Sequence, residues 1–140
     1  MRLRQFELEH DYPAVLALWQ MAGPGLHVSP SDMPAELARK LERDPDLFLV
    51  AEAGDQLVGT VLGGFDGRRG MVYHLTVAAD WRGQGIGAAL MAELEARLAA
   101  RGCHKAYLMV ASENSEVTAF YERRGWRVMD VLPMGKELQV

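Results

Sequence analysis

The period of apolar and polar positions changes several times along the chain, and each change marks an element. Residues 2–8 (RLRQFEL) alternate and predict an opening strand. The apolar positions then take up helical spacing: Val15, Leu18, Trp19 and Ala22 share one face of a helix expected over 11–23. Asp11 is placed to cap that helix and Pro13 to sit in its first turn. Gly, Pro and Ser make 23–34 a loop, and a second helix over 32–44 turns Leu37 and Leu41 inward. Three strands follow in succession, at 47–53, 56–65 and 71–79. Gly54-Asp55 is a tight hairpin signal between the first two, and residues 66–70 turn into the third. Helical spacing returns over 87–102, where Leu90, Met91, Leu94 and Leu98 form an inner stripe and Gly102 a stop. Residues 104–111 have the unbroken apolar character of a buried strand. A short helix is expected over 115–125, starting at Ser115 and ending at Gly125, and 126–132 and 135–140 read as two closing strands. The order β-α-α-β-β-β-α-β-α-β-β describes a mixed α/β domain.

Composition adds few constraints. The 140 residues contain no repeat, biased tract or linker, so 1–140 is read as a single domain. Hydrophobic residues make up 49% and charged residues 24%, the balance of an ordinary globular protein. No apolar run approaches the ~20 residues needed to span a bilayer, which predicts no membrane association. The opening MRLRQFELEHDY has no apolar core of a signal peptide, so a cytoplasmic protein is expected. Cys103 is the only cysteine; that excludes an internal disulfide and a multi-cysteine zinc site, and no metal is expected. A net charge of −4 argues against non-specific binding to nucleic acid.

One stretch stands apart. In LTVAADWRGQGIGAALM (75–91) three glycines occupy alternate positions behind Arg82, between a strand and a helix. The first N–H groups of a helix have no intrahelical partner, and its dipole favours negative charge there. Gly83, Gly85 and Gly87 let an anion approach that backbone with no Cβ in the way, and Arg82 adds a charge-assisted clamp. The dipole alone contributes only ~0.3–2 kcal/mol, so directed N–H bonds must carry most of the anchoring of a pyrophosphate. A loop needed only for tight strand–helix packing is the plain alternative. The pattern also satisfies G-x-G-x-x-A (Gly83, Gly85, Ala88), but no acid near Cys103 stands where a dinucleotide's ribose needs one. A nucleotide-dependent oxidoreductase is therefore disfavoured.

Residues 82–87, Arg-Gly-Gln-Gly-Ile-Gly, resemble the R/Q-x-x-G-x-G/A motif of the GNAT (GCN5-related) N-acetyltransferases. Asn114, Phe120-Tyr121 and Gly125-Trp126 are similar to that family's second cofactor motif, and the order of elements fits along the whole chain. Length and the LFLVAE…VGTV run resemble the small stand-alone YpeA-like group. The resemblance implies a mostly antiparallel central sheet of six to seven strands with about four helices. It also implies that strands 71–79 and 104–111 splay apart because the first carries a bulge. A bulge leaves backbone groups unpaired, and the two amides of a pantetheine arm can pair with them as an added strand would. The implied contacts to acetyl-CoA are Leu75 and Val77, Arg82, the turn Gly83, Gln84, Gly85, Ile86, Gly87 and Ala88, and Asn114 and Tyr121. Relatives of this kind often form homodimers.

Acetyl transfer to an amine requires that the amine lose a proton, that an oxyanion find a donor and that the departing thiolate be protonated. A backbone N–H at the bulge near Val77 could serve the oxyanion. By resemblance Tyr121 is the general acid, a phenol protonated at neutral pH, although Val117 and Phe120 on its side of the helix also suit a core aromatic. No acid stands in MVYHLTVAA, so Tyr73 and His74 remain as candidate base or water-positioning groups. Counting by twos, Met71 and Tyr73 share the face of Val77, and His74 points the other way. His27, Ser29, Asp32 and Glu36, from the loop and second helix, are candidate contacts to a small-molecule or protein amine. A non-catalytic acyl-CoA-binding module is the alternative to an enzyme.

Overall fold

The two apolar runs flanking Gly54-Asp55 form the centre of the sheet in a computed structural model, which describes residues 1–23 and 25–140. Pro24, in the loop expected over 23–34, lies outside the described residues. Strands β2 (Phe48–Ala53) and β3 (Gln56–Phe65) pair antiparallel, and Gly54 supplies the positive φ of +61° that their tight turn demands. Strand β1 (Arg2–Gln5) lies antiparallel on β2, and β4 (Gly70–Val77) lies antiparallel on β3. Helix α3 (Ile86–Ala100) then crosses over, so that β5 (Ala106–Leu108) pairs parallel to β4. The strands lie in sequence order across a five-stranded sheet.

Period-2 alternation divides the apolar side chains between two faces. Leu49, Ala51, Val58, Val61 and Val72 pack against Ile86, Leu90, Met91, Leu94 and Leu98 of α3. Phe48, Val50 and Leu62 point to the opposite face, where they meet Val15 and Trp19 of α1 (Leu8–Gln20) and Leu37 of α2 (Pro34–Arg43). Gly63 permits α3 to come close: a Cβ there would stand 2.5 Å from Leu94 Cδ1. The remaining helix, α4 (Thr118–Glu122), follows a 3-10 segment over Ser112–Val117. No described helix is long and apolar enough to cross a membrane.

Several expectations change. Strand β5 keeps only Ala106–Leu108 of the buried strand expected over 104–111 and is partly exposed, because its pairing with β4 stops at the splay, and α4 starts at Thr118, behind the 3-10 segment, rather than at Ser115. Helix α1 begins at Leu8, ahead of Asp11, so Asp11 is not its cap. Instead the buried Asp11 carboxylate accepts from the backbone N–H of Glu7 at 2.8 Å and from both terminal nitrogens of Arg4, at 2.7 and 2.8 Å. The local rule that a helix starts at its first Asp loses to a longer-range ion pair. The sheet has five strands rather than six to seven, because 126–132 and 135–140 form no strand. Alternation in those segments finds no partner edge: Val128, Leu132, Met134 and Leu138 are all largely exposed. β-propensity needs a neighbouring strand to become structure.

The feature that shapes the site is in β4. Thr60 faces Thr76 and Leu62 faces Tyr73, so one residue of β3 opposes His74 and Leu75 together. This is a β-bulge, and His74 is the only non-glycine residue described with positive φ, at +49°. On the other side of β4, pairing with β5 ends at Val72–Leu108 while β4 continues to Val77. The two strands therefore part beyond Val72.

Candidate active site

The glycine turn occupies the mouth of that opening. Gly83 and Gly85 adopt φ of +76° and +84°, and Gly85 is the N-cap of α3 with no side-chain cap. The first amides of α3 are thus free of side-chain partners and open to an anion. Gly87 serves a different need: a Cβ there would lie 3.3 Å from the Phe120 ring. Arg82 bends back over the strand end, its Nε donating to the Val77 carbonyl at 3.1 Å. A groove of about 840 Å³ runs from this turn into the splay. It is lined by Leu75 and Val77, by Arg82, Gly83, Gly85, Ile86, Gly87 and Ala88, and by Asn114 and Tyr121. Of the expected cofactor contacts only Gln84, an exposed residue, is not part of its lining.

Tyr121 stands on α4 between Phe120, with ring centroids 5.1 Å apart, and Trp126, at 6.3 Å. Trp126 is tied to α3 by its indole N–H, which donates to Glu95 at 3.2 Å. Burial pushes the Tyr121 phenol above the ordinary tyrosine range, so it stays a proton donor. Arg124, not anticipated from the sequence, lies over the Phe120 ring at 3.7 Å and faces the same groove beside Arg123. Its signal was weak, since two adjacent arginines at a helix end are usually a solvated surface.

The bulge overturns the expected facing of β4. Met71 and Tyr73 lie on the α1–α2 side, opposite Gly64 and Leu62, whereas Val77 packs on the α3 side. His74 does not point away from Tyr73: it too reaches the α1–α2 side, edge-on to Trp19 at 4.8 Å. An extra residue in the strand shifts parity, and counting by twos cannot cross it. His74 Nε2 lies 3.0 Å from both carboxylate oxygens of Asp32, a residue only 3% exposed. Asp32 is held in turn: Oδ2 accepts from the Ser29 backbone N–H at 3.0 Å, and the Tyr12 hydroxyl donates to its carbonyl at 3.1 Å. Sequence reasoning named both residues for separate roles and missed that they pair.

A second groove, of about 810 Å³, extends along α2 on this side. Ser29, Asp32 and Glu36 line it, as expected of acceptor contacts, together with Tyr73 and His74. His27 is not among them; its Nε2 lies 3.0 Å from Glu113 near the first groove. The two grooves share Met71, Tyr73 and His74, so they meet at the bulge. Tyr73 is exposed along the groove, and the burial of part of its ring raises its phenol pKa.

Comparison with known proteins identifies the family and the fold. The sequence profile described as the acetyltransferase (GNAT) family matches residues 12–126. An acetyltransferase of Pectobacterium atrosepticum is 44% identical over 138 residues, 99% of this chain and 96% of that protein. One from Sodalis glossinidius is 43% identical, over 99% and 96% respectively. Among solved structures, the PaiA N-acetyltransferase of Thermoplasma acidophilum, in complex with coenzyme A, superposes with a TM-score of 0.78 at 20% identity, covering 93% of this chain and 91% of that one. Ard1 of Thermoplasma volcanium gives 0.78 at 20% identity, covering 91% and 83%. Matched along nearly all its length by sequence and by fold, the chain belongs to the GNAT family of acetyltransferases.

Proposed function

We propose that this acetyltransferase moves an acetyl group from acetyl-CoA directly to a primary amine, with both substrates bound at once. The observation that carries the reading is the junction of the two grooves at Met71, Tyr73 and His74. A donor entering through the splay and an acceptor entering along α2 reach the same point, so no covalent enzyme intermediate is required.

In this reading the amides of residues 83–88 and the Arg82 guanidinium hold the pyrophosphate, and the unpaired edge of β4 at Leu75 and Val77 pairs with the pantetheine amides. Asn114 supplies a polar contact beside that arm. Acetyl-CoA contributes a thioester whose thiolate is the leaving group. Tyr121, its phenol kept protonated by burial, donates to that sulfur. His74 removes the amine proton. Asp32 occupies Nε2, which leaves Nδ1 as the ring nitrogen able to accept, and the carboxylate stabilises the imidazolium that forms. Tyr73 borders the same point and positions the amine. A coenzyme-binding module without catalysis would have no need for a carboxylate-backed imidazole at the junction.

Initial-rate kinetics test the proposal. With acetyl-CoA and a turned-over amine varied together, release of free thiol should give intersecting double-reciprocal lines. Parallel lines would overturn direct transfer. Thiol release independent of every amine offered would overturn the transferase reading itself.

A further inference from the structure

The second groove changes charge along its length. At the junction end are Asp32, Glu36 and His74; at the other end are Lys40, Arg43 and Arg69, with Asp44 and Asp66. Glu36, Lys40 and Arg43 follow one another along one face of α2, so the change from acid to base runs down the helix axis. Seven residues separate Glu36 from Arg43, which is about 10 Å at 1.5 Å per residue.

The acids at the far end are already engaged. Asp44 is buried and accepts from Lys40 at 2.6 Å, from Arg101 at 2.6 Å and from the Phe65 backbone N–H at 3.4 Å. Asp66 accepts from the backbone N–H groups of Arg68 and Arg69, both at 2.7 Å. Lys40 is held by Asp44, but the two arginines are less occupied. Arg43 has a 60% exposed side chain, reaches the Phe65 carbonyl at 3.0 Å and lies 3.8 Å from Asp44, while Arg69, half-buried, reaches the carbonyl of Arg68 at 3.4 Å. Gly64 keeps the strand floor low beside them: a Cβ there would stand 3.2 Å from Lys40 Nζ. The missing side chain lets the Lys40 ammonium lie close against the strand, on the floor of the groove.

We infer that the acceptor is an extended primary amine bearing an anionic group, carboxylate or phosphate, on the order of 10 Å from the nitrogen. The amine lies at His74 and Asp32, and the anion lies between Lys40, Arg43 and Arg69. The inference rests on the acetyltransferase reading above and narrows its acceptor. A free α-amino acid is too short to reach both ends, and a polyamine places a second cation beside the two less occupied arginines, Arg43 and Arg69.

The test is a thiol-release assay across ω-amino carboxylates from glycine to 8-aminooctanoate, with matched 1-aminoalkanes, diamines and ω-aminoalkyl phosphates. The expected result is that kcat/KM rises with chain length and that 8-aminooctanoate or its phosphate counterpart exceeds both octylamine and 1,8-diaminooctane by at least tenfold. The carboxylate and phosphate series identify which anion is preferred. Arg69→Ala should raise the KM for the preferred amine about tenfold and leave the KM for acetyl-CoA unchanged, with Arg69→Lys intermediate. Preference for the diamine or the neutral amine, or no change of KM in Arg69→Ala and Arg43→Ala, overturns the inference. Should none of these amines turn over, the acetyl-CoA-loaded protein is heated with 8-aminooctanoate and with the matching phosphate; no thermal stabilisation by either also overturns it. Failure of acetyl-CoA alone to stabilise the protein counts against the donor reading instead.

Discussion

His74 and Asp32 are separated in sequence by helix α2 and strands β2 and β3, yet Nε2 of one lies 3.0 Å from both carboxylate oxygens of the other. The contact depends on a backbone that L-residues seldom adopt, because His74 reaches Asp32 only from φ of +49° on the bulge. A non-glycine residue in that region costs on the order of 1 kcal/mol, and strain of this kind persists where surrounding contacts hold it. Trp19 against the ring and the capped turn around Asp32 provide that hold.

His74→Asn should therefore lower kcat by roughly 10²–10⁴-fold, the usual worth of a general base. Asparagine tolerates positive φ, so the variant should fold with a Tm close to the parent. Asp32→Asn should keep the ring in place but lose the stabilised imidazolium, with a smaller fall in kcat. Steady-state kinetics checks both; a His74→Asn enzyme with parental kcat at every pH would remove the histidine from the reaction.

Tyr121→Phe separates the acid from its packing. The ring contacts with Phe120 and Trp126 survive and only the hydroxyl is lost. The expected outcome is a kcat reduced at least tenfold with acetyl-CoA affinity nearly unchanged. Because burial raises the phenol pKa, any decline of kcat from ionisation of this group should lie above the ordinary tyrosine range. Calorimetric titration alongside the pH–rate profile distinguishes loss of chemistry from loss of binding.

Anchoring of the donor rests on two separable features of the turn. Arg82→Ala removes one charge-assisted contact, about 1.5–3 kcal/mol, and should raise the KM for acetyl-CoA roughly tenfold or more with less effect on kcat. Gly85→Ala meets no atom within 4 Å, so it tests conformation rather than space. Holding alanine at φ of +84° costs about 1–2 kcal/mol; the turn relaxes and the first amides of α3 lose their aim. Both variants should lose thermal stabilisation by acetyl-CoA, and an unaltered Kd in either would detach that feature from phosphate binding.

Local signals in the sequence were enough to read the inner elements. Strand β3 begins and ends where alternation and the Gly54-Asp55 turn place it, and the stripe of Leu90, Met91, Leu94 and Leu98 is buried on α3 as spaced. The glycine turn was legible because its chemistry is carried by consecutive residues. Features that depend on partners were not. Asp11 pairs with Arg4 instead of capping, and 126–140 alternates without a strand to lie beside. The bulge was expected from resemblance, but its effect on parity was not carried through to His74. Lys40, Arg43 and Arg69 come from two segments, and only the fold puts them along one groove.

Asp44 offers a test of stability at the far end of the second groove, away from His74 and Tyr121. Burial alone pushes its carboxyl up, but the hydrogen bonds from Lys40 and Arg101 outweigh that and hold it below the usual carboxylate range. A depressed folded-state pKa stabilises the protein above the unfolded value of about 3.9, and that contribution disappears as pH falls through and below it. Asp44→Asn leaves Lys40 without its counter-charge and Arg101 with only Asp46, at 3.5 Å, and should cost about 2 kcal/mol at neutral pH. For a chain of this size that corresponds to a Tm lower by roughly 5–10 °C. The variant's Tm should also fall less steeply than the parent's as pH drops through and below about 4, since the carboxyl whose protonation differs between the folded and unfolded chain is gone. Thermal melts across that range decide the matter: parallel Tm curves for parent and variant would mean that the Lys40–Asp44–Arg101 cluster contributes nothing to acid sensitivity.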